Sequence, residues 1–376
     1  MGKKNLNLLL ILAIVMSLSG ASIASASGEH SEVTTSSATS TKTTASQPKV
    51  AVKNVKVGSK TYAVQTVAIP KNIGVGVGLA NRKVGETANL QDIAKQWNAS
   101  YAMNATYFEA YGGIPEPYGT IIANGQLAHI GNTGTSIGFT KDGQARMDTL
   151  RVSVTGSVYD EDKGRSSSWY VYFVNRTPVK GKNGAILYTP QRGKTIGFNY
   201  GHMIVVNQGV VTQVTQNTNV EIPAKGYVLV FNGTDAGQAS RFKVGDRVNY
   251  EVHYKDLNGK TIPWNDVVTA VGAGPRLVKD GKVAVNPAAE GFTSAKILTN
   301  GGARSGIAIM KDGSVMLATV GNATIKDWAA IMEKLGAQQA MNLDGGASSG
   351  LYANGKMLTA PGRKLSNALI FGNQIK

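Results

Sequence analysis

TIKDWAAIMEKLGAQQAMNLDGGASSG, residues 324–350, holds a complete helix, the strand after it and a polar turn. Thr324 stands where a helix cap belongs, with Asp327 three residues on. Trp328, Ile331, Met332 and Leu335 recur at helical spacing, and Gly336 supplies the stop, so a helix is expected over Ile325–Leu335. The strand Gln339–Leu343 follows with almost no connection. Asn342 and Asp344 are two apart and share one side, while Met341 and Leu343 turn toward a core. An Asp-Gly pair is ordinarily a turn in which Asp bonds its own backbone. Asn342 before it and Ser348 and Ser349 after it favour a polar pocket floor, with glycines that let backbone approach a ligand.

Working outward, convincing helices are rare. Leu90, Ile93, Ala94 and Trp97 predict one more over Thr87–Asn98. Lys49–Val57 and Thr61–Ile69 alternate around Gly58-Ser59-Lys60 and read as an entry hairpin. From Arg151 to Tyr254 short strands dominate, among them 169–174, 203–206 and 225–230, with turns at Asn207-Gln208-Gly209 and Gly245-Asp246. Two helices among so many strands predict an α+β fold with mixed or largely antiparallel sheets and a β-rich middle segment. That segment, about 151–260, is read as an insertion or subdomain of one domain spanning 50–376.

The chain has 376 residues, 45 Gly and no Cys, which excludes disulfides, thiol nucleophiles and Cys-ligated metal. Lys3-Lys4, the apolar run Leu8–Val15 and Ala24-Ser25-Ala26 form the three parts of a secretory signal, residues 1–26. The run is shorter than the ~20 residues of a spanning helix, so no stable membrane span is expected after cleavage. Residues 27–49 carry twelve Ser or Thr in twenty-three, the composition of a disordered tether. A secreted or wall-associated protein is expected. Its formal charge of +16 suits an anionic partner, a sugar-phosphate or a cell-wall polymer. Nucleic acid is disfavoured, because no dense basic helix, RNP-like pair or finger spacing occurs. No H-E-x-x-H, P-loop or dinucleotide fingerprint is present. The sequence requires no cofactor and leaves a structural divalent cation open.

Four further clusters carry polar groups at strand ends. Asn104 opens one that continues through Glu109, Gly112-Gly113 and Glu116. Arg276 follows Gly274-Pro275, and Arg304 precedes Ser305-Gly306. Each of these arginines offers a planar fork for phosphate or carboxylate, although an exposed arginine is the ordinary reading on a basic chain. Arg363-Lys364-Leu365-Ser366-Asn367 enters the last apolar strand.

Taken in order, AMNATYF (102–108), GAGPRLVKDGK (272–282), ARSGIAIMKDG (303–313), NLDGGASS (342–349) and RKLSNALI (363–370) resemble the phosphodiester glycosidase family. The resemblance covers roughly Val50 to the end. It departs where Ala105-Thr106 replaces a glycine pair, where Ala347 replaces a third glycine, and at Ser305-Gly306. It implies cleavage between a sugar C1 and a phosphodiester, GlcNAc-1-phosphodiester or a related surface polymer. It implies Asn104, Arg304, Asn342, Asp344, Ser348, Ser349, Arg363 and Asn367 as pocket residues. Residue chemistry adds Arg276 for substrate and Glu109 for catalysis, with Glu116 as another candidate acid. The departing phosphomonoester has a second pKa near 6 and leaves without a strong proton donor. One carboxylate, Asp344, as base or nucleophile, with arginines on phosphate, then suffices where other glycosidases use two. A non-catalytic wall- or glycan-binding protein stands as the alternative. A metal phosphodiesterase cutting P–O would need a cluster of acids or His that this chain does not display.

Overall fold

A computed structural model describes residues 47–375. The expected signal, residues 1–26, and the tether as far as residue 46 lie outside the described residues. The first strand begins at Lys49.

Four sheets account for the fold, and every pairing but one between named strands is antiparallel. The entry hairpin, Lys49–Val57 and Lys60–Ile69, turns between Val57 and Lys60. It extends a seven-stranded sheet whose next members are Val315–Ala323, Gly302–Met310, Ala337–Asn342, Arg276–Lys279 and Lys282–Val283. The helix Ile325–Lys334 covers one face. Thr324 Oγ1 accepts from Asp327 N–H at 3.1 Å, and Trp328, Ile331 and Met332 are fully buried with Val64, Ala308 and Ala318. The cap and the apolar face therefore act as the sequence predicts.

A five-stranded sheet orders Lys356–Thr359, Leu351–Ala353, Tyr101–Asn104, Asn367–Phe371 and Val75–Leu79. The helix above it is Leu90–Gln96, shorter than the predicted Thr87–Asn98. Ala88 bridges to Leu365, which draws the chain before the helix onto the sheet, and Asn98 is left-handed at φ 52°. A second five-stranded sheet holds Gln126–His129, Ile121–Ala123, Val267–Gly272, Ser136–Thr140 and Ala145–Asp148. These two sheets and the seven-stranded one share a core in which Met103, Ile121, Ile137, Ile307, Leu317, Met341 and Leu369 are buried.

All strands of the eight-stranded sheet lie between Arg151 and Lys255. The chain leaves the second five-stranded sheet after Asp148 and returns as Val267–Gly272, which pairs with both Ile121–Ala123 and Ser136–Thr140. Period-two alternation explains how the two units pack. Ile121 and Val271 point into the shared core, while Ile122 and Ala270 point into the core of the eight-stranded unit beside Trp169, Leu229 and Phe231. The architecture is the strand-dominated, largely antiparallel α+β fold expected.

Candidate active site

The strand Ala337–Asn342 lies between Gly302–Met310 and Arg276–Lys279. Met341 and Leu343 are fully buried in the shared core, so the chain beyond them presents Asp344 at the sheet's end. Both sides of that residue's backbone are held from the neighbouring sheet. Asp344 N–H donates to Ala105 O at 3.0 Å, and Asp344 O accepts from Asn104 Nδ2 at 2.6 Å. The turn that follows has Gly346 at φ 60°, where a side chain would be strained. A Cβ on Gly345 would stand 2.9 Å from Ala303 O. The close approach that glycine permits here is to the adjacent strand.

Asp344 lines a cavity of about 1070 Å³ with Tyr107, Ser348, Arg304, Arg363, Lys296 and Arg176 among its walls. Burial raises its carboxyl to about 6. The Ser348 hydroxyl, the Gly345 N–H (2.9 Å) and the Arg363 charge each pull in the other direction. At neutral pH the group is therefore mostly ionised, yet costly to hold in that state. A titrating group of this kind in a cleft is the usual mark of a reactive site.

Arg304 is 4% exposed and held by carbonyls. Its Nε donates to Ala323 O at 2.9 Å, and its Nη2 to Lys296 O at 3.1 Å and Asn300 O at 2.6 Å. Among the described residues Nη1 has no protein acceptor. Arg363 donates to Tyr111 OH at 3.2 Å and lies over that ring, 4.9 Å from its centroid. Tyr107 sends its hydroxyl to Gly274 O at 2.9 Å, and burial raises its pKa. Its ring meets Phe292 edge-on at 5.9 Å.

Of the ten residues expected at the site, Asp344, Ser348, Arg304 and Arg363 line the cavity. Three asparagines stand behind its wall as braces. Asn104 Oδ1 accepts from Ser305 Oγ (2.7 Å) and Gly350 N–H (2.9 Å). Asn342 Nδ2 donates to Leu343 O at 2.6 Å and to Tyr107 OH at 2.8 Å. Asn367 accepts from Thr106 N–H at 3.1 Å and donates to Thr106 Oγ1 at 2.7 Å. Ser349 is buried outside the lining. Arg276 is also outside it. Its Nη1 donates to Gln339 Oε1 and its Nη2 to Met147 O, each at 2.6 Å, and Glu290 accepts its backbone N–H at 2.7 Å.

The acidic candidates of the 104–118 segment, Glu109 and Glu116, lie outside the lining, so the structure does not bring Glu109 to Asp344 as expected for catalysis. Glu109 accepts from Tyr118 OH (2.7 Å) and Tyr111 N–H (3.1 Å), which hold its carboxyl below the ordinary value. Glu116 Oε1 is occupied by Thr177 N–H (2.7 Å), Thr177 Oγ1 (2.6 Å) and Arg192 Nη1 (3.0 Å). Among the described residues Asp344 is the one carboxylate in the lining.

Sequence reasoning missed Tyr107, Arg176, His129 and Lys296, all in the cavity wall. Tyr107 was legible in principle, lying one residue beyond Thr106 in the block that begins at Ala102. The others carry no local signal. His129 Nδ1 lies 2.9 Å from Gly119 O. A carbonyl only accepts, so Nδ1 bears the proton and Nε2 is bare. Burial lowers this imidazole to about 4, which keeps it neutral near pH 7. Among the described residues no group of three or more His, Asp or Glu gathers that could hold a metal ion, and no helix is long and apolar enough to cross a membrane.

The fold and site together define a β-rich α+β protein with a single titrating carboxylate in a cation-lined cavity. Residues 200–372 match the phosphodiester glycosidase family, which bears out the resemblance read from the sequence. No curated protein sequence matches the chain. A crystal structure of a Synechocystis protein superposes with a TM-score of 0.74 at 24% identity, over 87% of this chain and 62% of that one. The chain thus spans about three-fifths of that protein's length. A Burkholderia pseudomallei protein gives 0.68 at 20% identity, over 83% of this chain and 74% of that one. The catalytic domain of zebrafish N-acetylglucosamine-1-phosphodiester α-N-acetylglucosaminidase gives 0.48 at 13% identity, over 87% and 83%.

Proposed function

We propose that this protein is a hydrolase that cleaves the bond between a sugar anomeric carbon and a phosphodiester, with Asp344 as base or nucleophile. The observation that carries this reading is the Asp344 carboxyl, raised to about 6 in a cavity that Arg304 and Arg363 also line, with the Arg363 charge acting on it. Water activated by Asp344, or Asp344 itself, attacks C1. The C1–O electron pair passes to the phosphate oxygen, and the phosphodiester departs as a phosphomonoester. When Asp344 attacks directly, a second step adds water to the glycosyl ester and restores the carboxylate. Arg304 and Arg363 face the charge that grows on the departing phosphate. A phosphomonoester is a good enough leaving group that a second carboxyl acid is dispensable, in keeping with one carboxylate in the lining.

N-acetylglucosamine is the sugar suggested by the family resemblance. We further propose export to the cell surface or wall, on the composition of residues 1–49, where sugar-phosphate polymers are at hand.

The test incubates the full chain with methyl N-acetylglucosamine-1-phosphate in ¹⁸O water and follows the label by mass spectrometry, with Asp344→Asn as control. Label in the free sugar, lost in the variant, supports the proposal. Label in phosphate means P–O cleavage and refutes it. Saturable binding without turnover would favour a glycan-binding protein.

A further inference from the structure

Arg176, Lys296, Arg304 and Arg363 all line this cavity, and among the described residues Asp344 is its one carboxylate. Among the described residues none of these four cations forms a salt bridge. A single sugar phosphodiester brings one negative charge, so with ionised Asp344 it would leave two cations unanswered. With Arg304 and Arg363 facing the first diester, the two left over are Lys296 and Arg176, both exposed at the lip. Lys296 Nζ lies 5.6 Å and Arg363 Cζ 4.9 Å from the centre of the Tyr111 ring, which is 79% exposed. Arg176, from the eight-stranded unit, lies on Phe173 at 4.4 Å and acts electrostatically on Tyr118. Lys296, Arg363 and Arg176 thus each rest on an aromatic face, while Arg304 is held by carbonyls. The cavity, about 1070 Å³, is slightly larger than the ~300–1,000 Å³ range of small-molecule sites.

We infer that the substrate is a chain carrying at least two phosphodiesters, one beside Asp344 and Arg304 and a second at the lip against Lys296 or Arg176. The inference rests on the phosphodiester glycosidase reading and names the substrate class of that site. It makes the enzyme one that works on sugar-phosphate polymers and discriminates against single diesters.

Three synthetic probes test it on the full chain. The first is methyl N-acetylglucosamine-1-phosphate. The second is a two-repeat N-acetylglucosamine-phosphate oligomer with two diesters. The third is a single diester extended to the same length by neutral sugars. The expected kcat/KM for the two-repeat probe exceeds both others by tenfold or more in dilute salt. This preference should shrink as salt rises from about 0.02 M to about 0.5 M, where charges farther apart than a few ångströms are screened. It should fall below threefold in Lys296→Ala, Arg176→Ala or the pair. Equal rates on the two-repeat and neutral-arm probes would overturn the inference, as would a preference intact in the double variant. The two readings fail separately. Turnover without charge preference removes this one and leaves the glycosidase. Absence of turnover, with tenfold tighter binding of the two-repeat probe to Asp344→Asn, removes the glycosidase and leaves a polyanion site.

Discussion

Replacing Asp344 by Asn should sharply lower activity while making the protein more stable, and by an amount that depends on pH. The carboxyl is raised from 3.8 to about 6, so the folded state disfavours its ionised form. In a raised acid the folded protein binds the extra proton, and stability falls as pH climbs from about 4 to about 6 and is level above. At pH 7.5 the shift is fully expressed, about 3 kcal/mol at 1.36 kcal/mol per unit. At pH 4.5 most folded molecules are already protonated, and the cost is about 1 kcal/mol. Asn keeps the shape but accepts more weakly from Gly345 N–H and Ser348, which offsets about 1 kcal/mol. The variant should therefore gain about 2 kcal/mol at pH 7.5 and close to nothing at pH 4.5. Urea titrations followed by tryptophan fluorescence suit the measurement, since Trp169, Trp264 and Trp328 are buried. Turnover should drop about 10²–10⁴-fold in the same preparation. A variant whose advantage over wild type is no greater at pH 7.5 than at pH 4.5 would refute the buried-carboxylate argument, whatever its activity.

Three further outcomes follow from the same geometry. The kcat/KM profile should rise with pH through about 6 as Asp344 ionises, and a stopped assay of released phosphomonoester from pH 4.5 to 8 would show it. Arg304→Gln should lower kcat about 10²–10³-fold, by analogy with removal of an oxyanion donor, and Arg304→Lys should recover only part of that because a point charge cannot satisfy three carbonyls in the same geometry. Asn104→Ala strips partners from Ser305, Gly350 and Asp344 and should cost about 3 kcal/mol in urea unfolding, against an expectation near zero for an exposed sugar ligand.

The fold class was legible because the long periodic segments were unambiguous. Ile325–Lys334 had its cap, its apolar face and its stop in plain view, and the entry hairpin had clean alternation around a short turn. Sheet membership was not legible. Nothing local says that Val267–Gly272 inserts between strands more than a hundred residues earlier, as a long-range contact determines it. The site was half legible for a related reason. Asp344 lies just past a strand, Ala337–Asn342, whose apolar alternation fixes its direction, so its exposure to a pocket could be read. Asn104, Asn342 and Asn367 sit in the same motifs, but a buried amide and a ligand-binding amide look alike in sequence. Arg276 shows the same ambiguity, since its neighbours Gln339 and Met147 are distant in the chain. Lys296 reaches the cavity from the single helical turn Ala295–Leu298 and Arg176 from a loop, neither long enough to show a period.

The braces explain why the motif residues are spread over blocks so far apart. A carboxylate held near pH 6 would relax toward water if its backbone could move, and preorganisation requires that it cannot. Asp344 is pinned by Ala105 O and Asn104 Nδ2 from the five-stranded sheet, while Ser305 of the seven-stranded sheet holds Asn104 in turn. Asn367 then fixes the Thr106 turn from the adjacent strand, and Asn342 holds Tyr107 against Gly274. Each brace crosses from one sheet or strand to the next. Asp344 stands at a seam between two sheets, and the polar residues of four blocks join that seam. Replacing Ala105-Thr106 by a glycine pair would leave the Ala105 carbonyl in place but remove the Thr106 hydroxyl that accepts from Asn367 Nδ2. In this chain the Thr106 side chain is therefore part of what keeps the carboxylate still.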